Sequence, residues 1–285
     1  MSPKSLVWIF SLSTIFVSGC SHSPKNAAPP ALATVDSTGP AVRIPASPKN
    51  AKSVDLASIQ SKMPSFQKLE KFFRRDKVSA AELPALLDQI RTEPGYSDIH
   101  MTYIRETYRA LGVEDPFEWM QRNGEHYSAL NDYIDPQEDG EPIWSTTNRR
   151  LREKQELTPE EARFTRALMA ALDALPTIKG IVFRGARLEP ADLERYVEQK
   201  PVTELPFTST SIDPQIARIF AENNSKPNRV SVIFVVRART GGPVSAFHPG
   251  NNHEVEVLLR PSTTFMVDRL LWSKDRKSVY IFMTE

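Results

Sequence analysis

Apolar residues fall at helical spacing through the first half of this chain and at strand spacing through most of the second. Ile59, Met63, Phe66, Leu69 and Phe73 recur every three or four residues, which predicts an amphipathic helix. Ser79 with Glu82 three positions on reads as a capping box, Pro84 falls in the first turns, and Pro94-Gly95 closes the helix that follows. Tyr103, Ile104, Tyr108 and Leu111 share one side of a helix over 98–111, and Asp115-Pro116 opens a short one through Met120. Residues 57–124 thus read as a helical region with an ordinary core, or alternatively as a targeting or partner-binding module. No chemistry is visible in it.

Helical pattern continues over 126–133, 146–154 and 158–175. Thr158-Pro159-Glu160-Glu161 supplies a cap, a first-turn proline and acids at the positive helix end. Strands then take over. GIVFRGARL is an apolar run into Arg184, VSVIFVVRA is strongly β-branched, and HEVEVLLRP, FMVDRLLW and SVYIFMTE follow between turn residues. Helices followed by a mostly antiparallel sheet system define an α+β class.

Composition changes this picture at the N-terminus. Twenty-three prolines against 11 glycines in 285 residues suggest a stiff linker. Residues 21–56 are rich in Pro, Ala and Ser with few large apolars, so they read as a disordered tether. Lys4 and the apolar run from Leu6 to Val17 form a signal-peptide pattern, too short to span a membrane as a helix. It ends in Val17-Ser18-Gly19-Cys20, which looks like a bacterial lipobox, with an ordinary signal peptide as the alternative. Cys20 is the only cysteine, so no intrachain disulfide forms, and acylation of Cys20 would remove a reactive thiol. A lipoprotein of the cell envelope, in the outer membrane or at the surface, or a secreted protein follows. With 36 Lys+Arg against 35 Asp+Glu, the charge balance argues against a dedicated nucleic-acid binder.

Three segments carry candidate chemistry. Glu254-Val255-Glu256 reads as strand, with both carboxylates on one face. Such a pair repels, and Glu256 between Val255 and Val257 is costly unless hydrogen-bonded or functional. Ser209-Thr210-Ser211 offers hydroxyls that orient a carboxylate. Arg184, between an apolar run and Gly185, places a guanidinium fork suited to phosphate beside a residue that lets a ligand approach the backbone. Together these describe a site for a phosphorylated ligand, with a carboxylate for developing positive charge.

The order Phe183-Arg184-Gly185, Phe207-Thr208-Ser209-Thr210-Ser211 and Glu254-Val255-Glu256, with Phe265 beyond, resembles the Arg-Ser-Glu class of mono-ADP-ribosyltransferases, which includes bacterial toxins and exoenzymes. Asn148-Arg149-Arg150-Leu151-Arg152 is similar to that family's Asn-x-x-Leu-Arg helix. Many relatives carry tyrosine where this chain has Phe183. The resemblance covers roughly 125–285 and implies a catalytic domain there, with helices packed on a two-sheet antiparallel β core. It implies NAD as substrate, no metal, and a protein arginine as acceptor. Arg184 would bind the NAD phosphates, and the Gly185 backbone would lie near the nicotinamide carboxamide. Ser209 would orient Glu256, with Thr210 and Ser211 supporting the fold of the site. Glu256 would stabilise the oxocarbenium-like transition state, and Glu254 would align or deprotonate the acceptor. Asn148 and Arg152 would contact the nucleotide. Phe220 would stack on nicotinamide or, alternatively, belong to the core face of helix 214–222. Phe247 would sit at the tip of a target-recognition loop over 241–253. An NAD glycohydrolase and a non-catalytic binding module of the same fold are the competing readings.

Overall fold

The computed structural model describes residues 52–74, 79–134, 141–222, 228–247 and 254–285. Cys20, the signal-peptide pattern and the tether up to residue 51 lie outside them. The described residues belong to one compact unit, Ala46–Glu285.

In chain order the elements are β1 (Ser53–Asp55), α1 (Ala57–Gln60), α2 (Pro64–Phe73), α3 (Leu83–Thr92), α4 (Tyr96–Leu111), α5 (Pro116–Arg122), α6 (Gly124–Ile134), α7 (Ile143–Arg152), α8 (Pro159–Ala174), β2 (Thr177–Leu188), α9 (Pro190–Leu193), β3 (Pro201–Glu204), β4 (Thr208–Ser211), α10 (Pro214–Glu222), β5 (Val230–Gly241), β6 (Glu256–Leu259), β7 (Thr263–Trp272) and β8 (Ser278–Thr284). The α+β expectation holds. The capping box expected at Ser79/Glu82 forms, and the expected Thr158 cap forms a second box with Glu161.

The sheet differs in detail from a two-sheet antiparallel core. Its strands form one connected path, β3-β7-β8-β5-β2-β4-β6, with β1 paired to β2 off that path. Two pairings are parallel, β1 with β2 and β5 with β8. The long central strand β2 runs beside β5 over most of its length. It meets β4 only at Phe183 opposite Ser211. That narrow junction is where the arginine strand, the serine strand and the glutamate strand converge, because β6 pairs in turn with β4.

The tether expected to run to residue 56 ends earlier. Ser53–Asp55 pairs with β2, and Leu56 is completely buried. Gln60 continues the pairing by other means. Its side-chain amide donates to the Ile181 carbonyl and accepts from the Ile181 N–H, both at 2.8 Å. A single side chain thereby satisfies a backbone donor and acceptor beside the bulge at Ile178/Gly180.

The expected division at 124/125 does not separate two bodies. Phe72 stacks on Phe282 with ring centroids 5.7 Å apart, and Phe73 meets the same ring edge-on at 5.0 Å. Glu70 of α2 pairs with Arg237 of β5, whose guanidinium lies 3.8 Å from the Phe73 ring centroid. On the same sheet, α10 presses so closely on β2 that a Cβ at Gly185 would lie 1.7 Å from the Ala217 carbonyl oxygen. Only glycine permits that approach. The helical region is therefore a layer of the same fold.

Candidate active site

Strand β6 begins at Glu256, so Glu254 precedes it in a turn. Val255 between them has φ of 42°, in the left-handed region that a β-branched residue rarely adopts. The expectation that both carboxylates lie on one face of a strand is thus corrected: a left-handed kink leaves Glu254 outside the strand that Glu256 opens. Strain of this kind costs roughly 1–3 kcal/mol and persists only where the surroundings enforce it. They do so here. Ser211 Oγ donates to the Glu254 carbonyl at 2.5 Å, Ile212 N–H donates to the Val255 carbonyl at 3.3 Å, and the Glu256 N–H donates to Ser245 Oγ at 2.8 Å.

The structure brings Arg184, Ser209, Glu254 and Glu256 to one place. Arg184 Nη1 donates to the Ser209 carbonyl at 2.8 Å, tying β2 to β4. The Ser209 side chain faces the Glu256 carboxylate and favours its anion. Thr210 Oγ1 donates to the Val257 carbonyl at 2.6 Å, so the next residue of the motif locks β4 to β6. Each hydroxyl of Ser209-Thr210-Ser211 thus holds a different part of the glutamate segment.

Glu256 is 7% exposed, and its pKa is pushed up to about 7. Burial is the largest cause. Hydrogen bonds from Ser209 and Tyr133 oppose it, Glu254 adds to it, and Arg184 opposes it. Tyr133 is a partner that the motifs do not mark: its hydroxyl donates to Glu256 Oε1 at 2.9 Å from helix α6. Tyr103 of α4 donates to the Glu256 backbone carbonyl, and Tyr108 of the same helix to that of Ala246. Burial and the Glu256 charge hold the Tyr103 and Tyr133 phenols well above their usual range, so both remain neutral donors. The signal available in sequence was tyrosine in place of phenylalanine on apolar helix faces, since a buried phenol seeks a partner.

Of the other expected site residues, Arg152 is coupled to this cluster through the charge of Arg184. Asn148 Oδ1 accepts from the Phe207 N–H at 3.0 Å, so its side chain anchors the approach to β4. Arg152 is exposed on the last turn of α7. Its pKa is lowered first by the surrounding protein and next by Arg184, partly offset by Glu204 and Asp192. Its neighbours Arg149 and Arg150 pair with Glu141 and Glu161. Gly185 lies under α10 as described above. Phe220 is 57% exposed on α10, which overturns the alternative that seats it on that helix's core face.

Phe247 requires the largest correction. It is 1% exposed, 4.5 Å from the Trp119 ring and 6.2 Å from the Tyr108 ring. Rather than tipping a recognition loop, it anchors the loop's base in the helical layer; burying so large a ring outweighs displaying it. Residues 248–253, which include both histidines of this segment, lie outside the described residues.

Set beside known proteins, the chain has the ADP-ribosyltransferase fold. The crystal structure of ADP-ribosyltransferase Vis in complex with an inhibitor superimposes with a TM-score of 0.50 at 20% identity, covering 74% of this chain and 87% of that one. Sequence similarity points the same way. Vis of Vibrio splendidus, assigned as an NAD(+)–arginine ADP-ribosyltransferase, is 31% identical over 110 residues, 38% of this chain and 44% of Vis. Mav of Mycobacterium avium, assigned to the same activity, is 36% identical over 131 residues, 44% of this chain and 14% of Mav. The chain therefore spans less than half the length of either curated relative. No protein-family model matches it.

The Glu256 environment makes stability depend on pH in a stated direction. The folded-state pKa of about 7 exceeds the ordinary 4.5. The folded state therefore binds a proton more tightly than the unfolded chain. The resulting stabilisation is fully present below the unfolded value and is lost as pH rises through the folded one. Its size is of order 3 kcal/mol. Denaturant unfolding of the parent and of Glu256→Gln on either side of this window is expected to show the extra pH dependence only in the parent. Identical slopes in both would contradict the buried, proton-holding carboxylate.

Proposed function

We propose that this chain is a mono-ADP-ribosyltransferase that takes ADP-ribose from NAD, releases nicotinamide, and transfers it to an arginine of a protein. The observation that carries this reading is the buried Glu256 carboxylate, held by Ser209 and Tyr133, beside Arg184 and with Glu254 next to it. The curated relatives' assignments to arginine transfer support the choice of acceptor.

The chemistry follows from the charges. The C1′–N bond of the nicotinamide riboside breaks and its electron pair leaves on nicotinamide, so positive charge develops at C1′ and the ring oxygen. A fixed carboxylate at Glu256 stabilises that charge, which appears only in the transition state. Arg152 and Arg184 repel each other across the site, and a diphosphate placed between them relieves that repulsion. The acceptor guanidinium attacks C1′ with a nitrogen lone pair. A free guanidinium gives up its proton only above about pH 12. Glu254, in the turn ahead of the strand, is the group that aligns the acceptor and takes the proton as the new C–N bond forms.

We further propose that the chain is exported and anchored through a lipid on Cys20, which would hold the catalytic unit near an envelope membrane. The lipobox-like Val17-Ser18-Gly19-Cys20 supports this. Mass spectrometry of the mature N-terminus is expected to show an acylated Cys20, and an unmodified Cys20 would refute the anchor.

Incubation with labelled NAD and a lysate is expected to label protein bands with the parent. Glu254→Gln is expected to release nicotinamide at a similar rate while labelling little protein. Nicotinamide release without labelling in the parent would assign a glycohydrolase, neither activity would leave a binding module, and undiminished labelling by the variant would remove Glu254 from the acceptor step.

A further inference from the structure

We propose that Tyr133 is a positioning residue for the glycosyl-transfer step, fixing Glu256 Oε1 so that the carboxylate meets its substrate in one orientation and in its ionised form. This rests on the transferase reading above. None of the sequence motifs that define the site includes Tyr133, which comes from helix α6, 123 residues before Glu256 in the chain.

The geometry is specific. Tyr133 Oη donates to Glu256 Oε1 at 2.9 Å, and both side chains are withdrawn from solvent, with Tyr133 9% exposed. The Tyr133 ring meets Trp144 of α7 in a T-shaped contact at 6.2 Å, which braces it against the neighbouring helix. A phenol held neutral donates its proton and cannot take up the carboxylate's charge. One oxygen of Glu256 is engaged in this way, and a carboxylate keeps further acceptor positions for a sugar hydroxyl.

Four groups from different parts of the fold bear on the ionisation of Glu256. Tyr133 comes from α6, Ser209 from β4, Arg184 from β2 and Glu254 from the preceding turn. Tyr103 of α4 and Ser245 bond the Glu256 backbone instead of its carboxylate. Burial and Glu254 favour the protonated form, whereas Ser209, Tyr133 and Arg184 favour the anion. Removing Tyr133's proton therefore shifts this balance towards the protonated, unreactive acid. Removing Tyr103's leaves the carboxylate's own partners in place.

The test compares Tyr133→Phe with Tyr103→Phe and the parent, using the full chain. The rate of NAD consumption is measured against pH, and the Glu256 carboxyl carbon is titrated by 13C NMR, assigned by its absence in Glu256→Gln. Tyr133→Phe is expected to move the carboxyl midpoint and the acid limb of kcat up by about one pH unit, the scale of one lost hydrogen bond to a charged group. KM for NAD is expected to stay within about twofold, since a group that acts on the transition state shows itself in kcat. Tyr103→Phe is expected to leave the carboxyl midpoint unmoved. An unshifted midpoint in Tyr133→Phe overturns the proposal, as does a KM change without a shifted limb. A parent that consumes no NAD overturns the transferase reading alone, and the NMR midpoints then still decide the role of Tyr133.

Discussion

Glu256 is 7% exposed, and its charge is set by a contest in which burial and Glu254 press for the protonated acid while Ser209, Tyr133 and Arg184 press for the anion. The outcome, a carboxyl that titrates near neutrality, depends on placement more than on residue type. Glutamate on the exposed face of a strand would ionise far below neutral pH and would be screened by water. Moved out of water, the same group becomes both a stronger electrostatic partner for developing positive charge and a burden on the fold. The rest of the structure distributes that burden: β2 brings the arginine, β4 brings three hydroxyls, and the helical layer brings two phenols.

The kink at Val255 belongs to the same arrangement. A regular strand through residues 254–256 would place both carboxylates on one face of β6. The left-handed turn instead delays the start of the strand to Glu256 and leaves Glu254 outside it, half-buried. One carboxylate is thus fixed in the interior and the other stands nearer the surface, a division that suits a donor role and an acceptor role. The hydrogen bonds of Ser211 and Ser245 oppose the strain, so the serine motif shapes the turn as well as orienting the glutamate.

Much of this was legible in the chain. The helices of residues 57–175 show in the three- and four-residue recurrence of their apolar positions, and the capping box at Ser79 and the Thr158 cap mark two starts correctly. The short segments around Arg184, Ser209 and Glu256 are recognisable because their chemistry is dense and local. What stayed hidden depends on contacts between distant residues. Tyr133 and Tyr103 reach Glu256 across 123 and 153 residues, and a phenol on an apolar helix face signals that a partner exists without naming which residue it is. Phe247, in a segment rich in turn residues, reads as a displayed tip, because its partners Trp119 and Tyr108 lie on a distant helical layer. Ser53–Asp55 follows a proline-rich run and is too short to carry a strand pattern of its own, yet it completes an edge of β2. The positive φ of Val255 has no sequence marker, since glycine and asparagine are the residues that ordinarily announce it.

The helices before residue 125 belong to the same fold as the candidate site, because Tyr103 holds the Glu256 backbone carbonyl and Trp119 packs on Phe247 beside it. The most direct measurement compares the full chain with one shortened to residues 125–285, following cooperative unfolding and NAD consumption in both. The shortened chain lacks Tyr103, Tyr108 and the ring of Trp119 beneath Phe247, and it is predicted to show no cooperative transition and no NAD consumption. A shortened chain that unfolds cooperatively and consumes NAD at the rate of the full chain would contradict the account.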